Sequence, residues 1–78
     1  MNLTNDNLIR YMREDLGVPQ DIGTDTELFS EGVLDSVSMV NLIVYIEEKA
    51  KVTVQPSDVT LENFDSVSRI MNYVRGLA

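Results

Sequence analysis

GVLDSVSMVNLIVYIEEKA, residues 32–50, decides the fold. Asp35 suits a helix start, because its carboxylate can accept hydrogen bonds from the free backbone N–H groups of a first turn. From just after Asp35 to about Ala50 the apolar residues follow a 3.6-residue period, with Met39, Leu42, Ile43, Ile46 and Ala50 on one stripe, the natural core face. Val37, Val40 and Val44 fall on an adjacent face. Such a helix carries more apolar surface than one small core needs, so it is either buried on several sides or keeps a face for docking.

Upstream, Thr4 to about Leu16 places Leu8, Met12 and Leu16 four residues apart, with Ile9 and Tyr11 widening the stripe. That is an amphipathic helix, which Thr4 or Asn5 can cap and which Gly17 and Pro19 end. A long loop from Val18 to Leu34 follows, with Ile22, Leu28, Phe29, Val33 and Leu34 as anchors to a core. Loops of this length in small domains are more often functional than not. Downstream, Val52 to Val54 is too short before Pro56 to count as a strand, and Ser57, Asp58 and Thr60 favour turns or a short helical piece. A last helix starts near Asp65 or Ser66, carries Val67, Ile70, Met71 and Val74 at helical spacing, and ends near Gly76, with Arg69 and Arg75 facing outward. The expected product is one all-α domain over residues 1–78, a small four-helix bundle of three main helices and one short one with a long first connection.

Composition removes most catalytic classes. With 78 residues, no cysteine and no histidine, the chain lacks disulfides, a thiolate nucleophile, the usual general base near neutral pH and the two commonest zinc ligands. No metal site is expected, since Gly23 is misplaced for a calcium loop around Asp21, Asp25 and Glu27. The net charge of -7 disfavours nucleic acid and anionic membranes. Glu14, Asp15, Asp21, Asp25, Glu27, Glu31, Asp35, Glu47 and Glu48 run without an intervening Lys or Arg, which predicts basic partner surfaces. No segment approaches the roughly 20 apolar residues of a membrane span, and the N-terminus lacks a signal pattern, so a monomeric cytoplasmic protein is expected.

The junction Gly32-Val33-Leu34-Asp35-Ser36-Val37 offers the best site for chemistry. It puts the Ser36 hydroxyl on a helix N-terminus, where free N–H groups and the helix dipole favour an anion such as a phosphate ester. Asp35 beside it can share a magnesium ion with a modifying enzyme. Asp-Ser pairs also cap helices without any further role.

Taken with Asp25 through Phe29, the Glu47-Glu48 ending of the apolar helix and Asn63-Phe64-Asp65-Ser66-Val67, this junction resembles the acyl carrier protein family over essentially the full length. The resemblance implies a non-enzymatic carrier. Ser36 stands where the family takes 4'-phosphopantetheine from coenzyme A through a phosphopantetheinyl transferase, and the arm's thiol then carries acyl groups as thioesters. It also implies that the helix after Ser36 is read by acyl-loading and acyl-processing enzymes, through Val37, Val40, Val44, Glu47 and Glu48. Ser38 and Asn41 replace acids usual in fatty acid biosynthesis, and Val37 replaces a frequent leucine, which points to polyketide or mixed polyketide and nonribosomal-peptide biosynthesis. Two alternatives stay open: an aminoacyl or peptidyl carrier, and a protein-interaction module that uses only the apolar face. Met12, Met39 and Met71 would make an adaptable core for a sequestered chain if they meet.

Overall fold

The computed structural model describes residues 2–77. Four α-helices follow one another as α1 (Asn5–Asp15), α2 (Ser36–Ala50), α3 (Leu61–Phe64) and α4 (Val67–Leu77), with a 3-10 turn at Pro56–Asp58. No strand occurs among the described residues. The helical boundaries follow local chemistry. Thr4 caps α1 by accepting from the Asn7 N–H at 3.1 Å, while the Asn7 side chain returns the bond to the Thr4 N–H at 2.9 Å. Leu16 becomes the C-cap of α1, and Gly17 turns the chain away with φ +69, a conformation that costs a Cβ-bearing residue more. Asp35 caps α2 through the Ser38 N–H at 2.9 Å.

One buried cluster unites all four helices and the long loop. Leu8 and Met12 come from α1, Leu42, Ile46 and Ala50 from α2, Phe64 from α3, and Val67, Ile70, Met71 and Val74 from α4. Val18, Ile22, Leu28 and Leu34 bury the loop against them, whereas Phe29 and Val33 are only half-buried. Two of the five residues expected on the core face of α2 behave differently. Met39 and Ile43 are half-buried, and Met39 faces an open groove. The methionines therefore divide, with Met12 and Met71 inside and Met39 at the surface of the core.

Tyrosines set the direction of α2 against α1. Tyr11 and Tyr45 stack with centroids 4.0 Å apart and planes 10° from parallel. The Tyr11 hydroxyl donates to the Asn41 carbonyl and the Tyr45 hydroxyl to the Asn7 carbonyl, each at 3.2 Å. Position 11 thus meets 41 and position 7 meets 45, so the two helices run antiparallel. Beyond α2, Lys51 adopts φ 57 and an extended segment crosses to the 3-10 turn. Tyr73 of α4 tilts against Phe64 and donates to the Asp58 carboxylate at 2.8 Å, which secures that turn.

The surplus stripe of α2 stays outside the core: Val37, Val40 and Val44 are 71%, 62% and 49% exposed. Truncation on the two faces should therefore differ sharply in urea unfolding. Leu42→Ala is expected to cost about 2–5 kcal/mol, and Val40→Ala no more than about 0.5 kcal/mol. Equal losses would mean that Val40 is packed after all.

Candidate functional site

The chain carries the tetrapeptide Asp-Ser-Val-Ser twice, at 35–38 and 65–68. Each copy stands at the start of a helix, yet the two use their side chains in different frames. At the first, Asp35 is the N-cap and Ser36 the first helical residue, and both are exposed. At the second, Ser66 takes the capping part by accepting from the Arg69 N–H at 3.2 Å. Asp65 is thereby free to point elsewhere. Ser66 is 5% exposed, so its hydroxyl is closed to an enzyme that must approach it in line, whereas the Ser36 hydroxyl is open. Burial separates what the sequence repeats.

Ser36 opens a helix of 15 residues, whose dipole favours a phosphate on its hydroxyl while the Ser38 N–H is taken by Asp35. Hydrogen bonds from the Ser38 N–H, then from the Ser38 hydroxyl and the Val37 N–H, hold the Asp35 carboxyl below the usual carboxylate range despite slight desolvation. Asp35 is thus a carboxylate at neutral pH, beside the hydroxyl and open to solvent. Both residues edge a groove of ≈ 330 Å³. Phe29, Leu34 and Met39 line it together with Val59, Thr60 and Leu61, the last of these the first residue of α3. The groove is mostly apolar and lies beside the core. Leu8, Leu28, Leu42, Ile46, Phe64 and Ile70 in the core are fully buried.

The remaining expected site residues separate. Val37, Val40 and Val44 project together from α2, and Glu48 is exposed near the same stripe. Glu47 is half-buried and accepts from the Val54 N–H at 2.9 Å, a bond that fastens the segment after α2. Leu61 lines the groove and is 56% exposed, and it carries no sequence signal because a four-residue helix is too short to show a period. Asp65 was read only as a helix start. The repeated tetrapeptide was the available signal that its copy at 65–68 caps a helix as well.

Asp65 holds the end of the long loop. Its Oδ1 accepts from the Phe29 and Ser30 N–H groups at 2.8 and 3.0 Å, its Oδ2 accepts from the Ser30 hydroxyl at 2.6 Å, and its carbonyl accepts from the Leu28 N–H at 2.6 Å. Next door, the Ser68 N–H donates to the Thr24 carbonyl at 3.0 Å and the Ser68 hydroxyl to the Asp25 carboxylate at 3.3 Å. Burial pushes the Asp65 carboxyl up, but the bonds from Ser30 and Phe29 and the charge of Arg69 outweigh it, so its pKa lies below the ordinary value.

Comparison with known proteins places these features in a family context. Residues 6–74 match the family model described as phosphopantetheine attachment site. The D-alanyl carrier protein of Abiotrophia defectiva is 37% identical over 68 residues, which cover 87% of this chain and 84% of that protein. The D-alanyl carrier protein of Listeria welshimeri is 35% identical over 54 residues, 69% of each. Among solved structures, a chain in the crystal structure of an FAD-dependent dehydrogenase superimposes with a TM-score of 0.80 at 28% identity, covering 87% of this chain and 99% of that one.

A carboxyl with a depressed folded-state pKa stabilises the fold above its unfolded pKa of about 4, and loses that contribution as pH falls through the folded value. The Tm gap between wild type and Asp65→Asn should accordingly be widest at neutral pH and close on acidification below about pH 4. A gap that stays constant from pH 7 to pH 2 would show that the Asp65 charge is not engaged.

Proposed function

The chain belongs to the phosphopantetheine attachment family of carrier proteins, and we propose that it carries an activated amino acid on an arm attached at Ser36. Members of the family bear covalent 4'-phosphopantetheine and are substrates of a phosphopantetheinyl transferase and of enzymes that process the cargo, so the chain is a carrier and not an enzyme. The residues present fit the arm. Ser36 combines an exposed hydroxyl, a long helix behind it and a groove beside it. Once attached, the arm supplies the thiol that this cysteine-free chain lacks, and the cargo rides on it as a thioester.

The chain's own residues do the rest. The dipole at the start of α2 favours the phosphate, Asp35 offers a carboxylate to the magnesium ion of the modifying enzyme, and Val37, Val40 and Val44 with Glu48 meet partner surfaces. Glu47 is committed to Val54, so its part in docking is smaller than that of Glu48. The single observation that carries the attachment site is the exposure of Ser36 on the first turn of α2 while Ser66, in the same tetrapeptide, is buried.

Of the two cargoes that the sequence leaves open, a polyketide-type acyl group or an amino acid, the second is favoured by the relatives, which are named D-alanyl carrier proteins. The space beside Ser36 is an open groove, which suits a short cargo. No helix among the described residues is long and apolar enough to cross a membrane.

The test follows intact mass through two steps. The protein, converted with coenzyme A, magnesium and a phosphopantetheinyl transferase, is then offered to an amino-acid-adenylating enzyme with ATP, or to an acyltransferase with malonyl-coenzyme A. The proposal expects an arm absent from Ser36→Ala, followed by an aminoacyl increment. Malonyl loading alone would return the cargo to the polyketide class, and failure to take the arm would remove the attachment site.

A further inference from the structure

We infer that Asp65 is a positioning residue for modification of Ser36, acting through the end of the long loop. It touches neither Ser36 nor the groove, and lies 29 positions downstream in the sequence. Its influence runs through backbone. The carboxylate grips Phe29 and Ser30, and the Asp65 carbonyl grips Leu28. Leu28 in turn accepts the Leu34 N–H on its own carbonyl at 2.8 Å, closing residues 28–34 into a compact turn. Within that turn the Gly32 N–H donates to the Phe29 carbonyl at 3.1 Å, and Gly32 adopts φ +72. Leu34 then leads directly into the Asp35 cap and the Ser36 hydroxyl.

The turn has no core of its own to define it. Ser30, Glu31 and Gly32 are exposed, and Phe29 and Val33 are half-buried, so Leu28 and Leu34 fix its ends while the Asp65 carboxylate fixes its course. Directional hydrogen bonds set a loop's conformation more narrowly than two apolar anchors can. A carrier is the substrate of its transferase, and an in-line transfer is sensitive to displacements of about 1 Å in the attacking atom. Phe29 also walls the groove. The same grip therefore sets both the entry into α2 and one side of the groove.

The inference rests on Ser36 as the attachment point, and the kinetics of a broad-specificity phosphopantetheinyl transferase test it. Because the carrier is the varied substrate, loss of folded protein raises its apparent KM and leaves kcat intact. Loss of positioning lowers kcat. For Asp65→Ala, kcat is expected to fall roughly tenfold with KM changed less than about twofold. Asp65→Asn, whose Oδ1 can still accept from Phe29 and Ser30, should restore most of it. An unchanged kcat in Asp65→Ala overturns the inference, whatever happens to KM. Should that variant fail to give a cooperative melt, Ser30→Ala removes only the 2.6 Å bond at an exposed position. Its kcat is expected to drop roughly threefold, and an unchanged value is equally fatal. Wild-type protein that accepts no arm at all would defeat the assignment of Ser36 and be distinguished from either result.

Discussion

The Asp65 carboxylate, nearly enclosed at the junction of α3 and α4, accepts three hydrogen bonds from Phe29 and Ser30. Much of the molecule depends on this polar contact. A loop from the end of α1 to the start of α2 has many backbone groups to satisfy without a helix or sheet ladder. It is met by partners on α4 and its approach: Asp65 for the N–H groups of Leu28, Phe29 and Ser30, and Ser68 for the Thr24 carbonyl. With those ends secured, Leu28 and Leu34 can be buried and Asp35 arrives where it caps α2. Removing the grip would free the residues that lead into Ser36 while leaving most of the core in place.

Helix α2 carries two obligations on one cylinder. Leu42, Ile46 and Ala50 hold it in the core, and the Tyr11–Tyr45 stack, worth about 0.5–1.5 kcal/mol beyond its burial, fixes it antiparallel to α1. Val37, Val40 and Val44 contribute little to that core and remain exposed. Contiguous apolar exposure is a liability in a small acidic protein, and its retention beside Ser36 accords with transient docking of successive partners. Negative charge around the stripe favours fast encounter with basic surfaces more than tight binding.

Legibility followed sequence distance. The limits of α2, Ser36 to Ala50, were readable because the cap and the core stripe are local patterns. The exposure of the valine stripe was not, since periodicity identifies a face without saying what covers it. Phe29 and Ser30 meet Asp65 from 35 or 36 positions away, and Tyr11 meets Tyr45 across two helices, pairings that no local pattern encodes. Glu47 looked like half of an exposed acidic pair until the chain beyond Lys51 folded back and placed the Val54 N–H against it. Ser36 stood out through its junction, but the identical tetrapeptide at 65–68 offers a second serine at a helix start. Three-dimensional burial adds a physical reason for the choice.

On the proposed reading, enclosure of Ser66 leaves Ser36 as the one serine of the two identical tetrapeptides that can take the arm. Peptide mapping by tandem mass spectrometry of protein treated with coenzyme A, magnesium and a phosphopantetheinyl transferase tests it most directly. The entire phosphopantetheine increment is expected on the peptide containing Ser36 and none on the peptide containing Ser66. An increment on Ser66 in folded protein, or on neither serine, would contradict it.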